Sequence, residues 1–318
     1  IRATAAVVIA NHRERGLAIA RRVVSHRCAQ PIDATRAALR MTLRVAGVDA
    51  FSSVPMGGNG AVVVLLDEPA QAKWMQDLAA EFNQSETAFL WSHGSHWYLR
   101  WFTPSCEVDL CGHATLAATL ALQHWGLLGS GQPEWFQTRS GPLQVEIGSA
   151  SSAAIDLPSA AMQPRFYEPW MDSYRPLQQW TSDLGYGVLL LAADIDLQQL
   201  NPDEPCWAKT KEKGWVLMQQ ALKPRDYQLR FFAPGLGLRE DPVTGSAHAL
   251  VAPWWCQQLR QRFVIGWQPS HRPGGLCCQP LNNGMIRLTG DGVILWDGVL
   301  HDRPSVPSAK PWLALHRS

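Results

Sequence analysis

The chain has 318 residues, 46% of them hydrophobic, and a formal net charge of +1 at neutral pH. That is enough apolar material to bury a sizeable core, which excludes a disordered polymer, and the apolar runs Ala61 to Leu66 and Val188 to Ala193 fall far short of the roughly 20 residues a membrane helix needs. No stripe of lysine and arginine interleaved with aromatics marks a nucleic-acid surface, so small-molecule chemistry without a membrane or nucleic-acid partner is the favoured class.

Residues 1–40 carry eight arginines, no lysine and only Glu14 and Asp33 as acids, and the chain opens on Ile1. This composition suits an organelle presequence or translated upstream DNA ahead of a start at Met41. The second is the expectation, and the segment is set aside as an extension outside the fold. Without it 20 basic and 25 acidic residues remain, so the basic excess belongs to the extension. The seven cysteines are odd in number, scattered and unaccompanied by a secretory signal, which argues against a disulfide framework and for a reducing cytoplasm. Cys106, Cys111 and His113 resemble a zinc corner, but no second Cys/His pair at metal spacing joins them, and no metal is expected.

From Met41, "LRVAGVDAF" reads as a buried strand, "MGGNG" at Met56 to Gly60 as a tight turn and "AVVVLL" as a second strand ended by the acidic turn "DEP". In "QAKWMQDLAAEFN", Trp74, Leu78 and Phe82 recur every four residues beside Met75 and Ala79, which predicts a helix ending near Asn83. "SETAFLW" and "HWYLRWF" predict a hairpin of aromatic-rich strands around His93-Gly94-Ser95.

Further on, the chain repeats itself. "RWFTPSCEVDLCGHATLAATLAL" from Arg100 matches "RFFAPGLGLREDPVTGSAHALVAPWW" from Arg230: arginine, two large residues, proline, a polar loop, then glycine and a small-residue helix. The second copy is three residues longer between arginine and glycine. The repeat predicts two similar α+β lobes, each wrapping strands around a buried helix, facing one another across a cleft. The expected bounds are 41–157 and 158–300, with the last strands open to returning to the first lobe and 301–318 as a tail.

Gly112 and Gly245 read as tight turns ahead of the two helices, whose N–H groups and positive dipole ends together suit a carboxylate. Glu86 opens a strand with no solvent-like face, so partial desolvation should raise its pKa and fit it to take and return a proton; an exposed strand-end glutamate is the plain alternative. Asp241, before a proline, either shapes a turn or binds a substrate amine or hydroxyl. His113 and Ser246 follow the two glycines and either present donors to substrate or act as caps and core groups. Cys111, at a helix start, can have a lowered pKa and act as a base. Its repeat partner is Thr244, which excludes a two-thiol racemase.

On "QSETAFL", "LCGHATLA", "RFFAP" and "EDPVTGSAH", in this order, the chain from about Val45 to about Gly298 resembles the phenazine biosynthesis PhzF family within the diaminopimelate epimerase-like superfamily. The resemblance implies two lobes, each a barrel-like, mainly antiparallel sheet around a central helix, with the active site between them. It implies no cofactor, a homodimer and a small carboxylated substrate. Glu86 matches the family's acid/base glutamate, and His113, Asp241 and Ser246 match its assisting residues, with Gly112, Gly245, Cys111 and Thr244 around the substrate. The family reaction is isomerisation of a dihydro-hydroxyanthranilate by moving a proton between carbons of a conjugated system. The implied function is a cofactor-independent isomerase. The alternatives are a one-thiol amino- or imino-acid racemase, epimerase or dehydratase using Cys111, and a noncatalytic binding relative. Gly58-Asn59-Gly60 stands where relatives have Gly-Asn-Pro, and "QPSHRPGGLCC" carries Pro273 inserted after Arg272.

Overall fold

A computed structural model of the chain describes residues 42–149, 151–166 and 169–301. The readings made for residues 1–40 and for 302–318 lie outside the described residues. The elements are β1 (Leu43–Ala50), β2 (Asn59–Leu65), α1 (Ala72–Phe82), β3 (Glu86–His93), β4 (His96–Phe102), β5 (Glu107–Val108), α2 (Gly112–His124), β6 (Pro133–Thr138), β7 (Gly141–Ser149) and β8 (Ser152–Pro158). They continue with β9 (Met162–Pro164), β10 (Pro176–Ser182), β11 (Tyr186–Leu191), β12 (Gly214–Gln220), β13 (Tyr227–Phe232), α3 (Gly245–Leu259), β14 (Val264–Gln268), β15 (Gly274–Pro280) and β16 (Met285–Leu300). No helix among the described residues is long and apolar enough to cross a membrane.

The expected opening strand pair forms, and its turn depends on Gly58. There φ is +63°, and a Cβ would lie 2.1 Å from the Ala50 carbonyl oxygen, so an L side chain is barred on both counts. Helix α1 ends on Asn83 in the left-handed conformation, with Met75 and Ala79 fully buried. Alternation along β3 divides its side chains between two cores. Ala88 and Leu90 join the core around the long helices, while Phe89 and Trp91 pack with Trp74, Leu78 and Phe82 of α1. Glu86 shares the parity of Ala88 and Leu90, so its side chain is directed to the helix side of the sheet.

One continuous sheet makes both lobes. Its order is β1-β2-β3-β4-β6-β7-β8-β16-β15-β14-β13-β12-β11-β10-β9, with a further pairing of β1 to β16. The sixteen-residue β16 pairs with β8 and β15 through its first half and with β1 through its second, which closes the first barrel. Across the molecule, β9 follows β8 and pairs with β10, so the pair β8 and β9 plays for the second lobe the part β16 plays for the first. Parallel pairings recur at matching places, β2 with β3 and β11 with β12, then β4 with β6 and β13 with β14. This is the two-lobed, mainly antiparallel α+β architecture that the repeat predicted.

The repeated arginines account for part of that symmetry. Arg100 makes a two-point pair with Glu107 at 2.5 and 2.6 Å, and Arg230 makes the same pair with Glu240 at 2.6 and 2.7 Å. Each guanidinium also lies over an aromatic ring two residues on, Phe102 at 5.1 Å and Phe232 at 4.8 Å. Each pair ties the strand to the loop that leads into the central helix. Both helices are apolar on nearly every face, as suits a core element rather than a surface one: residues 113–122 of α2 are all buried, and most of α3 with them.

Candidate active site

The helix tips meet. A Cβ built on Gly112 would lie 3.5 Å from Gly245 Cα and 3.2 Å from Leu157 Cδ1, and one on Gly245 would lie 3.5 Å from Gly112 Cα. Neither glycine has a positive φ. They therefore do not rely on glycine's left-handed freedom, and the two tips lie against one another where the lobes join. Neither residue at the N-cap position, Cys111 or Thr244, closes a side-chain cap. The adjacent first turns thus present N–H groups and the positive ends of two dipoles at one place.

Around this point the structure gathers Glu86, Cys111, His113, Asp241 and Thr244. Glu86, the first residue of β3, has a side chain 14% exposed and places Oε2 3.0 Å from His113 Nε2. That oxygen is buried yet meets no well-aligned hydrogen-bond donor, so charge rather than a linear hydrogen bond holds the two groups together. Cys111 Sγ lies 3.5 Å from His113 Nδ1. Thr244 Oγ1 donates to Asp241 Oδ2 at 2.6 Å. Ser246, on the first turn of α3, is engaged by the Tyr186 hydroxyl at 3.2 Å.

Sequence reasoning missed the residues that join these groups. Asn59 Nδ2 lies 2.6 Å from Asp241 Oδ1, 3.1 Å from the Val243 carbonyl and 3.2 Å from His113 Nδ1. Its two hydrogens suit Asp241 and Val243 when His113 is protonated. Ser85 Oγ lies 3.1 Å from His113 Nε2, 3.2 Å from Asn59 Oδ1 and 2.9 Å from the Gly60 carbonyl. Gln268 accepts from Thr244 N at 3.0 Å and donates to the Asp241 carbonyl at 2.5 Å. Arg272 pairs with Asp49 and donates to the Gly58 carbonyl at 3.1 Å, which braces the turn before Asn59. The available signals were Asn59 between two glycines, Ser85 immediately before Glu86, and Gln268 at the head of the late loop.

Two electrostatic expectations are overturned. Burial alone would push the Glu86 carboxyl up, but the His113 charge, with the nearby polar groups of His113, Ser85 and Cys111, outweighs it and holds the carboxyl below its ordinary value of 4.5. Burial likewise works against a charged His113, but the Glu86 carboxylate charge, with the polar contacts to Cys111 and Glu86, carries it well above 6.5. The Cys111 thiol is pushed up from 9.0 by burial and then by the Glu86 charge, contrary to the lowered value expected at a helix start. Near neutral pH the trio is thus a carboxylate, an imidazolium and a protonated thiol. Asp241 is raised from 3.8 by burial, with the Glu86 charge adding to it and the His113 charge opposing it.

Glu86, Cys111 and His113 offer ligand atoms within 4.8 Å of one another, a set with three donor types that could hold a metal ion. The largest of the described cavities, about 730 Å³, lies elsewhere, against the Phe51–Gly57 loop and strands β14 to β16. The catalytic reading therefore rests on the buried polar cluster and not on cavity size.

Two lobes with opposed central helices define a diaminopimelate epimerase-like fold. A probable proline racemase from Agrobacterium radiobacter K84 shares this fold at a TM-score of 0.55 and 11% identity, over 84% of this chain and 95% of that one. The phenazine biosynthesis-like protein family, PhzC-PhzF, matches residues 48–298, and the chain belongs to it. An uncharacterized isomerase of Pseudomonas aeruginosa is 37% identical over 266 residues, covering 81% of this chain and 98% of that protein. A PhzF-family crystal structure from Enterococcus faecalis superposes with a TM-score of 0.75 and 29% identity, over 81% of this chain and 99% of the other.

Proposed function

We propose that the protein is an isomerase that moves a proton on a small carboxylated substrate, with Glu86 as the group that takes and returns it. The observation that carries this reading is the buried Glu86 Oε2, unengaged by an aligned donor and 3.0 Å from His113 Nε2. An ionised oxygen in that state has a lone pair free for a C–H proton, and His113 can assist its transfer or balance the charge that develops. The uncapped N–H groups at the two helix tips suit the substrate carboxylate, which would fix the reacting carbon beside Glu86. Asp241, held by Asn59 and Thr244, and Ser246 are the polar groups that would choose among substrate side groups. No step in this reading calls for a cofactor.

The test is solvent-deuterium exchange into candidate carboxylated substrates. Wild-type protein should incorporate deuterium, and Glu86→Gln should reduce the rate by about 10² to 10⁴. Unchanged exchange removes Glu86 from the mechanism. A second reading, with Cys111 as base, draws on the contact of its sulfur with His113 at 3.5 Å. It predicts that Cys111→Ala abolishes turnover, whereas the glutamate reading predicts a modest loss, consistent with a thiol that burial keeps protonated. A binding-only role would suit a carboxylate in bulk water, and Glu86 is mostly shielded.

A further inference from the structure

We propose that Glu86, Cys111 and His113 also form a reversible site for a thiophilic divalent cation, zinc being the probe of choice, and that its occupancy switches the isomerase off. The site is made of a thiol, an imidazole and a carboxylate drawn from β3 and the start of α2, with ligand atoms all within 4.8 Å of one another. Cys111 Sγ is 3.9 Å from His113 Nε2, and His113 Nε2 is 3.0 Å from Glu86 Oε2. Tetrahedral zinc, with bonds of about 2.3 Å to sulfur and 2.0 to 2.2 Å to nitrogen and oxygen, needs donors roughly 3.3 to 3.6 Å apart. The two separations to His113 are within a few tenths of an ångström of this, and a side-chain rotation of up to about an ångström closes the third, between the Cys111 sulfur and the Glu86 carboxylate, which is within 4.8 Å.

A separate observation points to a ligand. Glu86 Oε2 is buried without an aligned hydrogen-bond donor, so the oxygen that faces His113 has an unused acceptor position. The thiolate selects zinc over magnesium or calcium, which prefer oxygen-only ligand sets. Three protein ligands leave the fourth position to water. Binding sends one proton from the thiol and one from the imidazolium to solvent and leaves thiolate, neutral imidazole and carboxylate around the ion. The switching half of the proposal rests on the Glu86 reading above, since a carboxylate bound to zinc cannot accept a substrate proton. The binding half does not.

The experiment uses the full chain, stripped with a chelator, desalted and titrated with zinc sulfate in competition with a chromogenic chelator. One tight zinc per chain is expected, with affinity reduced at least about tenfold in Cys111→Ser and in Glu86→Gln. Cys106→Ser, at an exposed cysteine outside the trio, should bind as wild type does. X-ray absorption of zinc-loaded wild-type protein needs no variant and should find one sulfur among nitrogen and oxygen neighbours. Absence of stoichiometric zinc, a shell without sulfur, or affinity unmoved by Cys111→Ser overturns the site. Zinc bound with deuterium exchange undiminished overturns the switch. If zinc binds but exchange in metal-free Glu86→Gln equals that of metal-free wild type, the isomerase reading and the switch fail while the site stands.

Discussion

At the scale of single residues, Glu86 and His113 tie activity to pH in a way that can be checked. Under the proposed mechanism Glu86 acts as base only when ionised, and its value is held below 4.5, so the midpoint of the acid limb lies below that pH. His113 must keep its proton, and its value is raised above 6.5, so the alkaline limb lies above that pH. The expected kcat/KM profile is a bell with its acid midpoint below 4.5 and its alkaline midpoint well above 6.5, and His113→Gln should remove the alkaline limb. A profile still rising above pH 9 would instead fit a thiolate base. Asn59 is the residue most easily overlooked here. Its amide donates to Asp241 in one lobe while its Oδ1 accepts from Ser85, the hydroxyl beside His113 in the other, so its loss should loosen the register of both.

Among the elements, the two central helices decide whether the site exists. Their first turns stand in van der Waals contact with one another at positions 112 and 245. A methyl on Gly112 would press on Leu157 Cδ1 at 3.2 Å, whereas one on Gly245 would meet its neighbours at ordinary distances of 3.4 Å and beyond. Gly112→Ala should therefore cost about 1 to 3 kcal/mol through overpacking, partly offset by the better helix propensity of alanine, and should reduce activity by more than the stability change accounts for. Thermal denaturation and turnover measured on the same sample check both halves. The matched pairs of Arg100 with Glu107 and Arg230 with Glu240 belong to this scale as well. Each locks the strand before a helix to the loop that launches it, so both tips arrive at the junction on similar scaffolds.

For the whole molecule, the shared strand β16 makes the two lobes interdependent, since one continuous backbone completes hydrogen bonding in both. Acid stability is a property of this whole. His248, fully buried in α3 with Nδ1 2.8 Å from the Tyr227 hydroxyl, is pushed down by burial to about 3. Its folded value lies below the unfolded 6.5, so the unfolded chain binds the extra proton and stability falls as pH drops below 6.5. The loss should reach about 2 kcal/mol by pH 5, at roughly 1.4 kcal/mol per unit. The Glu86 and His113 pair works differently. His113 contributes fully below 6.5 and loses its contribution as pH rises through its raised value, whereas Glu86 contributes above 4.5 and loses it as pH falls through its lowered value. Their joint contribution is flat between 4.5 and 6.5, so slope in that window comes from His248 and, with opposite sign, from the raised Asp241 carboxyl, whose contribution is lost as pH rises through its raised value. The fall in urea midpoint from pH 6.5 to 5 should be smaller in His248→Gln than in wild type.

Local pattern was enough for much of the fold. Apolar spacing marked α1, β-branched runs marked β1 and β2, and the repeat of Arg100 to Leu122 in Arg230 to Trp255 marked two lobes with matched helices, because these features depend on neighbours within one segment. Glu86, His113, Asp241 and Thr244 were legible as polar residues set beside packed segments. Their electrical state was not. Whether burial raises Glu86 or a neighbour lowers it depends on His113 standing 3.0 Å away, and the two are separated by 26 residues of chain. Asn59 and Gln268 acquire meaning only when distant strands bring them to Asp241. That the tips at Gly112 and Gly245 lie against one another has no trace in either segment alone. Periodicity and repetition are written along the chain, whereas desolvation, charge pairing and close approach arise between parts of it, and tertiary structure alone decided those.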